Sequence, residues 1–165
     1  MKYVQNSNQR TDCFLCSSLL KPDGLENLVV WRLGLTYVIL NQFPYTTGHL
    51  LIVPNLHIAN LHELDLPTRS ELMELTSQST QVLTEVYHPQ GFNIGINIGE
   101  VAGAGVKDHL HIHVVPRWGG DTNFMSVLAD TRVIPEDIEI TYRRVYQAFQ
   151  RFPGGTDNGI KQSQD

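Results

Sequence analysis

Asp108-His109-Leu110-His111-Ile112-His113-Val114-Val115-Pro116-Arg117 alternates imidazole and aliphatic side chains over six positions, from His109 to Val114. Period two is the signature of a strand, because successive side chains point to opposite faces. Leu110, Ile112 and Val114 can then enter a core while the three imidazoles line the other face, with neighbouring rings about 6 to 7 Å apart. At that spacing the central ring can reach a phosphorus atom while a flanking ring donates hydrogen bonds to the same phosphate. Imidazole suits this work, because its ordinary pKa of about 6.5 leaves a neutral, nucleophilic fraction at physiological pH. The competing readings of three such histidines are a solvated face and a structural metal cluster.

Outward from this strand, Gly99 to Asp108 forms a loop with three glycines, a composition that lets backbone N–H groups approach an anion closely. A plain flexible connection is the alternative. Before the loop, Phe92 to Ile98 reads as a strand. Before that, Leu72, Leu75, Val82, Leu83 and Val86 keep helical spacing within Pro67 to Tyr87, with Pro67 suited to a first turn. Leu28 to Arg32, Leu35 to Asn41 and His49 to Pro54 read as a meander of three further strands. A last helix is expected from about Pro135, with Ile138, Tyr142, Val145, Tyr146 and Phe149 on one face. Strands in a run, one helix inserted and one appended, predict an α+β domain on a mainly antiparallel sheet.

The 165 residues fit a single domain, with a polar start and a Gly, Gln, Asp and Ser-rich tail from Pro153 expected to be loosely ordered. At 41% hydrophobic and 18% charged, the composition admits an enzyme and a binding module equally. A formal charge of -5 with scattered Lys and Arg argues against nonspecific nucleic-acid binding, which needs a basic face, and still allows a small anionic ligand in a local pocket. The absence of a long apolar stretch or signal-peptide core predicts a cytoplasmic protein without membrane spans.

Cys13-Phe14-Leu15-Cys16 holds both cysteines of the chain. Such a pair reads as a redox motif or as half a zinc site, for which His57 and His109 are the natural further ligands. A reduced thiol pair without metal is the alternative. Four protein ligands leave no open position, so such a zinc is structural.

The run His109-x-His111-x-His113, followed by Pro116-Arg117, resembles the signature of the histidine triad family. Asn41 to Pro54 resembles that family's nucleoside-holding strand-turn-strand, and Asn97 to Gly105 its phosphate-side loop. The resemblance spans roughly Thr11 to Arg151. It implies a five-stranded antiparallel sheet with two main helices, paired as a homodimer, and a small-molecule nucleotide as substrate. It implies His111 as nucleophile, its other ring nitrogen held by a backbone carbonyl, and His113 as the donor that stabilises the phosphoryl oxygens. Asn97 matches a phosphate contact and Asn41 a ribose contact, while Gly103, Ala104 and Gly105 belong to the phosphate loop. Cys13, Cys16, His57 and His109 match all four ligands of the family's zinc-bearing branch.

Arg117-Trp118-Gly119-Gly120-Asp121-Thr122-Asn123-Phe124-Met125, with Thr131 to Tyr146, resembles the bacterial branch of diadenosine tetraphosphate phosphorylase or ATP adenylyltransferase type. Hydrolytic relatives carry Gln or Ser where this chain has Ala104 and Gly105, which removes a side-chain donor and favours phosphate over water as acceptor. Trp118 is placed over the nucleotide or at the dimer contact, with an ordinary edge aromatic as the other reading. His49 matches a family histidine and is read as structural, His88 as a cap at the end of the long helix, and Glu100 as a solvated carboxylate beside the loop. Mg²⁺ can accompany a polyphosphate substrate, although no carboxylate cluster in the sequence demands it. The other functional readings are hydrolysis of dinucleoside polyphosphates or nucleoside phosphoramidates, a nucleotide-binding protein with incidental turnover, and a metal-storage cluster.

Overall fold

A computed structural model describes residues 13–121 and 136–152 of the chain. The polar start, the tail from Pro153, most of the segment after Asp121 and the expected helix start at Pro135 lie outside the described residues. In chain order the elements are α1 (Phe14–Leu19), β1 (Val29–Arg32), β2 (Thr36–Leu40), β3 (Leu50–Pro54), α2 (Leu66–Tyr87), β4 (Gly91–Ile96), β5 (Ile112–Arg117) and α3 (Ile138–Phe149). The five strands form one sheet in the order β1-β2-β3-β5-β4, with every neighbouring pair antiparallel. The expected α+β architecture of five strands and two main helices is therefore the observed one.

Both helices cover the same face. Leu72, Leu75, Val82 and Leu83 of α2, with Tyr142, Val145, Ala148 and Phe149 of α3, pack on Val38, Leu40, Leu50, Ile52, Ile112 and Val114. The other face is covered by the N-terminal segment: Cys13, Leu15 and Cys16 pack on Val29, Tyr37, Ile39, Leu51 and Val53. α2 starts where Asp65 accepts a hydrogen bond from the Thr68 N–H (2.9 Å) and proline fills the first turn. It stops at His88, whose backbone is left-handed (φ 48°) and whose N–H donates to the Thr84 carbonyl.

One boundary differs from expectation. β5 begins at Ile112 rather than His109, because its ladders to β3 and β4 both end there, at Ile52↔Ile112 and Ile96↔Ile112. Upstream, the Leu110 N–H donates instead to the Ile58 carbonyl (2.6 Å), and His109 turns away from the other two imidazoles. Leu110, Ile112 and Val114 still enter the helix-side core, as their alternation predicts.

Candidate active site and metal centre

His113 lies directly opposite Leu51 in the β3–β5 ladder, on the face away from the helices. The β4–β5 register carries Asn97, the residue after Ile96, to the level of His111. The rings of His111 and His113 stand edge to face with centroids 4.8 Å apart, closer than the 6 to 7 Å expected for a flat strand, because His111 precedes the ladder and is free of its pleat.

Hydrogen bonds settle which nitrogens carry protons. His111 Nδ1 lies 2.9 Å from the His109 carbonyl, which can only accept, so Nδ1 holds the proton and Nε2 presents a lone pair. For His113 the lock is longer. The Tyr45 backbone N–H donates to His49 Nδ1 (3.1 Å), so the proton of neutral His49 is on Nε2. His49 Nε2 then donates to His113 Nδ1 (2.9 Å), which leaves the His113 proton on Nε2. Asn41 closes the chain: its Oδ1 accepts from the Phe43 N–H (3.0 Å) and its Nδ2 donates to His49 Nδ1 (3.2 Å). A bare imidazole lone pair and an imidazole N–H therefore stand side by side, the pairing that attack on a phosphate with stabilisation of its oxygens requires.

Both rings favour the neutral form. Burial pushes His111 below the ordinary imidazole range, against a smaller opposing pull from its bond to the His109 carbonyl. Burial, and then the proximity of His111, push His113 down to about 4.

The remaining predicted residues divide into those near the triad and one that is not. Asn97 Nδ2 donates to the Gly103 carbonyl (3.3 Å), which clasps the loop across its neck. Gly103 has φ 83°, a left-handed conformation that a side chain would strain. The N–H groups of Ala102, Gly103 and Ala104 turn inward onto the carbonyls of Gly99 and Glu100 in a short 3-10 turn, instead of all facing outward to an anion. Gly105 follows, exposed. Trp118 stands beyond the far end of β5, roughly 20 Å from His111 along an extended chain, where its backbone N–H donates to Asp121 Oδ2 (3.2 Å). His49 is the residue whose part was missed. Its position is set by the pairing of β3 with β5, a contact between distant segments that periodicity does not encode. The available signal was its place two residues before Leu51 on the same face.

Cys13 and Cys16, at the cap and in the first turn of α1, converge with His57 and His109, the four ligand atoms lying within 4.8 Å of one another. Cys13 Sγ is 3.4 Å and Cys16 Sγ 3.5 Å from His109 Nδ1, and Cys16 Sγ is 3.2 Å from His57 Nδ1. Zinc bound tetrahedrally at ordinary lengths separates sulfur from nitrogen by roughly 3.5 Å. His109 Nε2 donates to the Pro54 carbonyl (2.9 Å), which leaves Nδ1 unprotonated and aimed into the cluster. The four residues thus form a closed structural zinc site, as expected from the sequence. Among the described residues no other group of His, Cys, Asp and Glu comes together in this way.

The HIT domain model matches residues 24–120. An "AP-4-A phosphorylase" of Mycobacterium tuberculosis is 42% identical over 128 residues, 78% of this chain and 66% of that protein, so the chain spans just under two thirds of this relative's length. The asymmetrical bis(5'-nucleosyl)-tetraphosphatase of Schizosaccharomyces pombe is 31% identical over 56% of this chain and 50% of that protein. Among solved structures, a zinc-bound histidine triad family protein from Mycobacterium smegmatis superposes with a TM-score of 0.68 at 26% identity, covering 86% of this chain and 95% of that one. With the alternating histidines, the antiparallel sheet beneath them and the match over 24–120 all in agreement, this chain belongs to the HIT domain family.

Proposed function

We propose that this protein is a nucleotidyl transferase that splits dinucleoside polyphosphates, diadenosine tetraphosphate first among them, with inorganic phosphate as acceptor. The observation that carries the reading is the pair of opposed tautomers: His111 Nε2 bare, His113 Nε2 protonated. His111 Nε2 attacks the phosphorus of one terminal nucleotide, the P–O bond to the bridging oxygen breaks, and ATP leaves. Inorganic phosphate then attacks the nucleotidyl-histidine, the P–N bond breaks, and ADP departs with His111 restored. His113 donates to the non-bridging oxygens as their charge grows, with Asn97 as a second amide contact. Gly103, Ala104 and Gly105 border the polyphosphate, and Asn41, already engaged with His49 and Phe43, contacts the ribose by its remaining lone pair. Trp118 belongs to a subunit contact rather than to the nucleotide of its own chain.

The 42% identity to the mycobacterial phosphorylase supports phosphate as acceptor. A homodimer fits the edge strand β4, whose outer edge pairs with no other strand among the described residues and whose Ile94 is 49% exposed. Purified protein incubated with diadenosine tetraphosphate yields ADP and ATP only when phosphate is added, and His111→Ala abolishes both products. AMP and ATP without phosphate would make the protein a hydrolase, as in the fission-yeast relative's name. Size-exclusion chromatography with light scattering is expected to return twice the chain mass.

A further inference from the structure

The backbone that presents His49 to His113 is wedged against the helix layer. Gly48 precedes His49 with φ 79°, and a Cβ there would stand 3.0 Å from Leu83 Cδ2 and 3.3 Å from both Cδ2 and Cε2 of Tyr87. These gaps are tighter than ordinary carbon contacts of about 3.5 to 4.0 Å. The chain therefore seats on α2 through bare backbone, on the side of the sheet away from the imidazoles. His49 itself has little slack, since its carbonyl accepts from the Asn41 N–H (2.9 Å) and its N–H donates to the Thr46 carbonyl (3.2 Å).

Tyr87, the last residue of α2, is held from the α3 side. Its hydroxyl donates to Glu136, whose carboxylate also accepts from the Thr141 hydroxyl (2.8 Å) and pairs with Arg144 (2.6 Å). The Arg144 guanidinium lies over the Tyr87 ring, 4.6 Å from its centroid, and donates to the Val86 carbonyl (3.0 Å). Hydroxyl and ring face are thus both fixed, and one edge of the ring is left to meet Gly48.

We propose that Tyr87 is a positioning residue for the imidazole pair: with Leu83, its clamped ring is the stop on which Gly48 seats, and that seat sets where His49 Nε2 meets His113 Nδ1. This rests on the nucleotidyl-transfer reading and deepens it, adding a support from the far side of the sheet to the relay. The lever is short, because His49 lies one peptide link from the seat, about 3.8 Å between Cα atoms. A small shift at Gly48 reaches a hydrogen bond of 2.9 Å, and such bonds weaken steeply when misaligned. Without the stop, the proton of His113 is no longer held on Nε2. Stabilisation of the transition state then falls while nucleotide binding persists.

The full-length, zinc-loaded chain is compared as wild type, Tyr87→Phe, Tyr87→Leu, Gly48→Ala and the Tyr87→Leu/Gly48→Ala double variant, with circular dichroism to identify the folded ones. In ¹⁵N NMR of the His113 ring, wild type is expected to show a single tautomer protonated on Nε2. In Tyr87→Leu and in Gly48→Ala the two nitrogen shifts converge as the tautomers exchange, and Tyr87→Phe, which keeps the ring, restores the wild-type pattern. With diadenosine tetraphosphate and phosphate, kcat falls by about tenfold or more in Tyr87→Leu and Gly48→Ala while KM stays within about twofold. The double variant is no slower than the slower single one, because both changes remove the same seat.

A lowered melting temperature with the His113 shifts unmoved makes Tyr87 purely structural and overturns the proposal. Rate losses that multiply in the double variant, or a Phe variant as impaired as Leu, overturn it too. If one single variant does not fold, the ring shifts of the other decide. Wild type that leaves the dinucleotide intact removes the proposed function, while the NMR arm, which needs no substrate, still decides the role of Tyr87.

Discussion

At the residue scale the site is a problem in placing protons. A backbone carbonyl orients His111 by a single bond, whereas His113 is oriented through the fully buried His49, itself fixed by a backbone N–H that can only donate. Replacing His49 with Phe keeps a flat ring, somewhat larger than imidazole, and removes the relay, leaving either His113 tautomer accessible. The expected result is a loss of about 10²-fold in kcat, comparable to removing one preorganised donor, with a much smaller change in KM. Steady-state kinetics measures it, and ¹⁵N NMR of the His113 ring reads the tautomer directly. A second consequence concerns acid. His113 has a folded pKa of about 4 and an unfolded one near 6.5. As pH falls through 6.5 the unfolded chain takes up a proton that the folded chain refuses until about 4, so stability is lost across that window and is level outside it. Denaturant titrations of wild type against His113→Asn isolate this contribution, and the wild type should lose ground to the variant only between those two values.

At the element scale, one feature marks where the chain turns against its own preference. His88 ends α2 with φ 48°, a left-handed backbone that costs a residue with a side chain more than it costs glycine. His88→Gly is expected to stabilise the protein by up to about 1 kcal/mol, read as a raised denaturant midpoint at unchanged slope. Helical spacing placed α2 within a residue of its observed start, and α3 shows the expected apolar face on Tyr142, Val145 and Phe149. These features are local, set by side chains three and four residues apart. The start of β5 was less legible. Alternation of His and aliphatic residues runs back to His109, but a strand exists only where a neighbour supplies hydrogen bonds, and both ladders end at Ile112.

At the scale of the whole molecule, the sheet separates two duties. Its helix-covered face holds the main apolar core, and its other face holds the zinc cluster beside the two remaining imidazoles. His109 joins them, since its ring enters the cluster while its carbonyl orients His111. The metal ties the segment around Cys13 and Cys16 to the strands through His57 and His109, closing long loops. Chelation or Cys13→Ser is expected to lower the melting temperature by on the order of 10 °C, corresponding to about 3 kcal/mol or more. Its effect on the rate at permissive temperature should be smaller. Elemental analysis should return one zinc per chain, and protein without stoichiometric zinc would sink this reading.

What the amino-acid sequence determined by itself was chemistry and period: three imidazoles on alternate positions, a C-x-x-C pair, glycines in one loop, and the spacing of two amphipathic helices. These are properties of neighbours along the chain, and the pairing of Cys13 and Cys16 with His57 and His109 was further legible through family resemblance. The bare nitrogen of His111 and the donor role of His113 were likewise implied by that resemblance, and what tertiary structure alone decided was the lock that holds the His113 proton in place. The lock on His113 needs His49 across a β3–β5 ladder whose partners are more than sixty residues apart, at |i−j| = 64 for His49 and His113. Likewise, Tyr45 was an unremarked residue of a turn until the same pairing brought its ring against His113. The chain from Tyr45 through His49 to His113 depends on hydrogen-bond partners that only folding brings to 2.9–3.1 Å of each other.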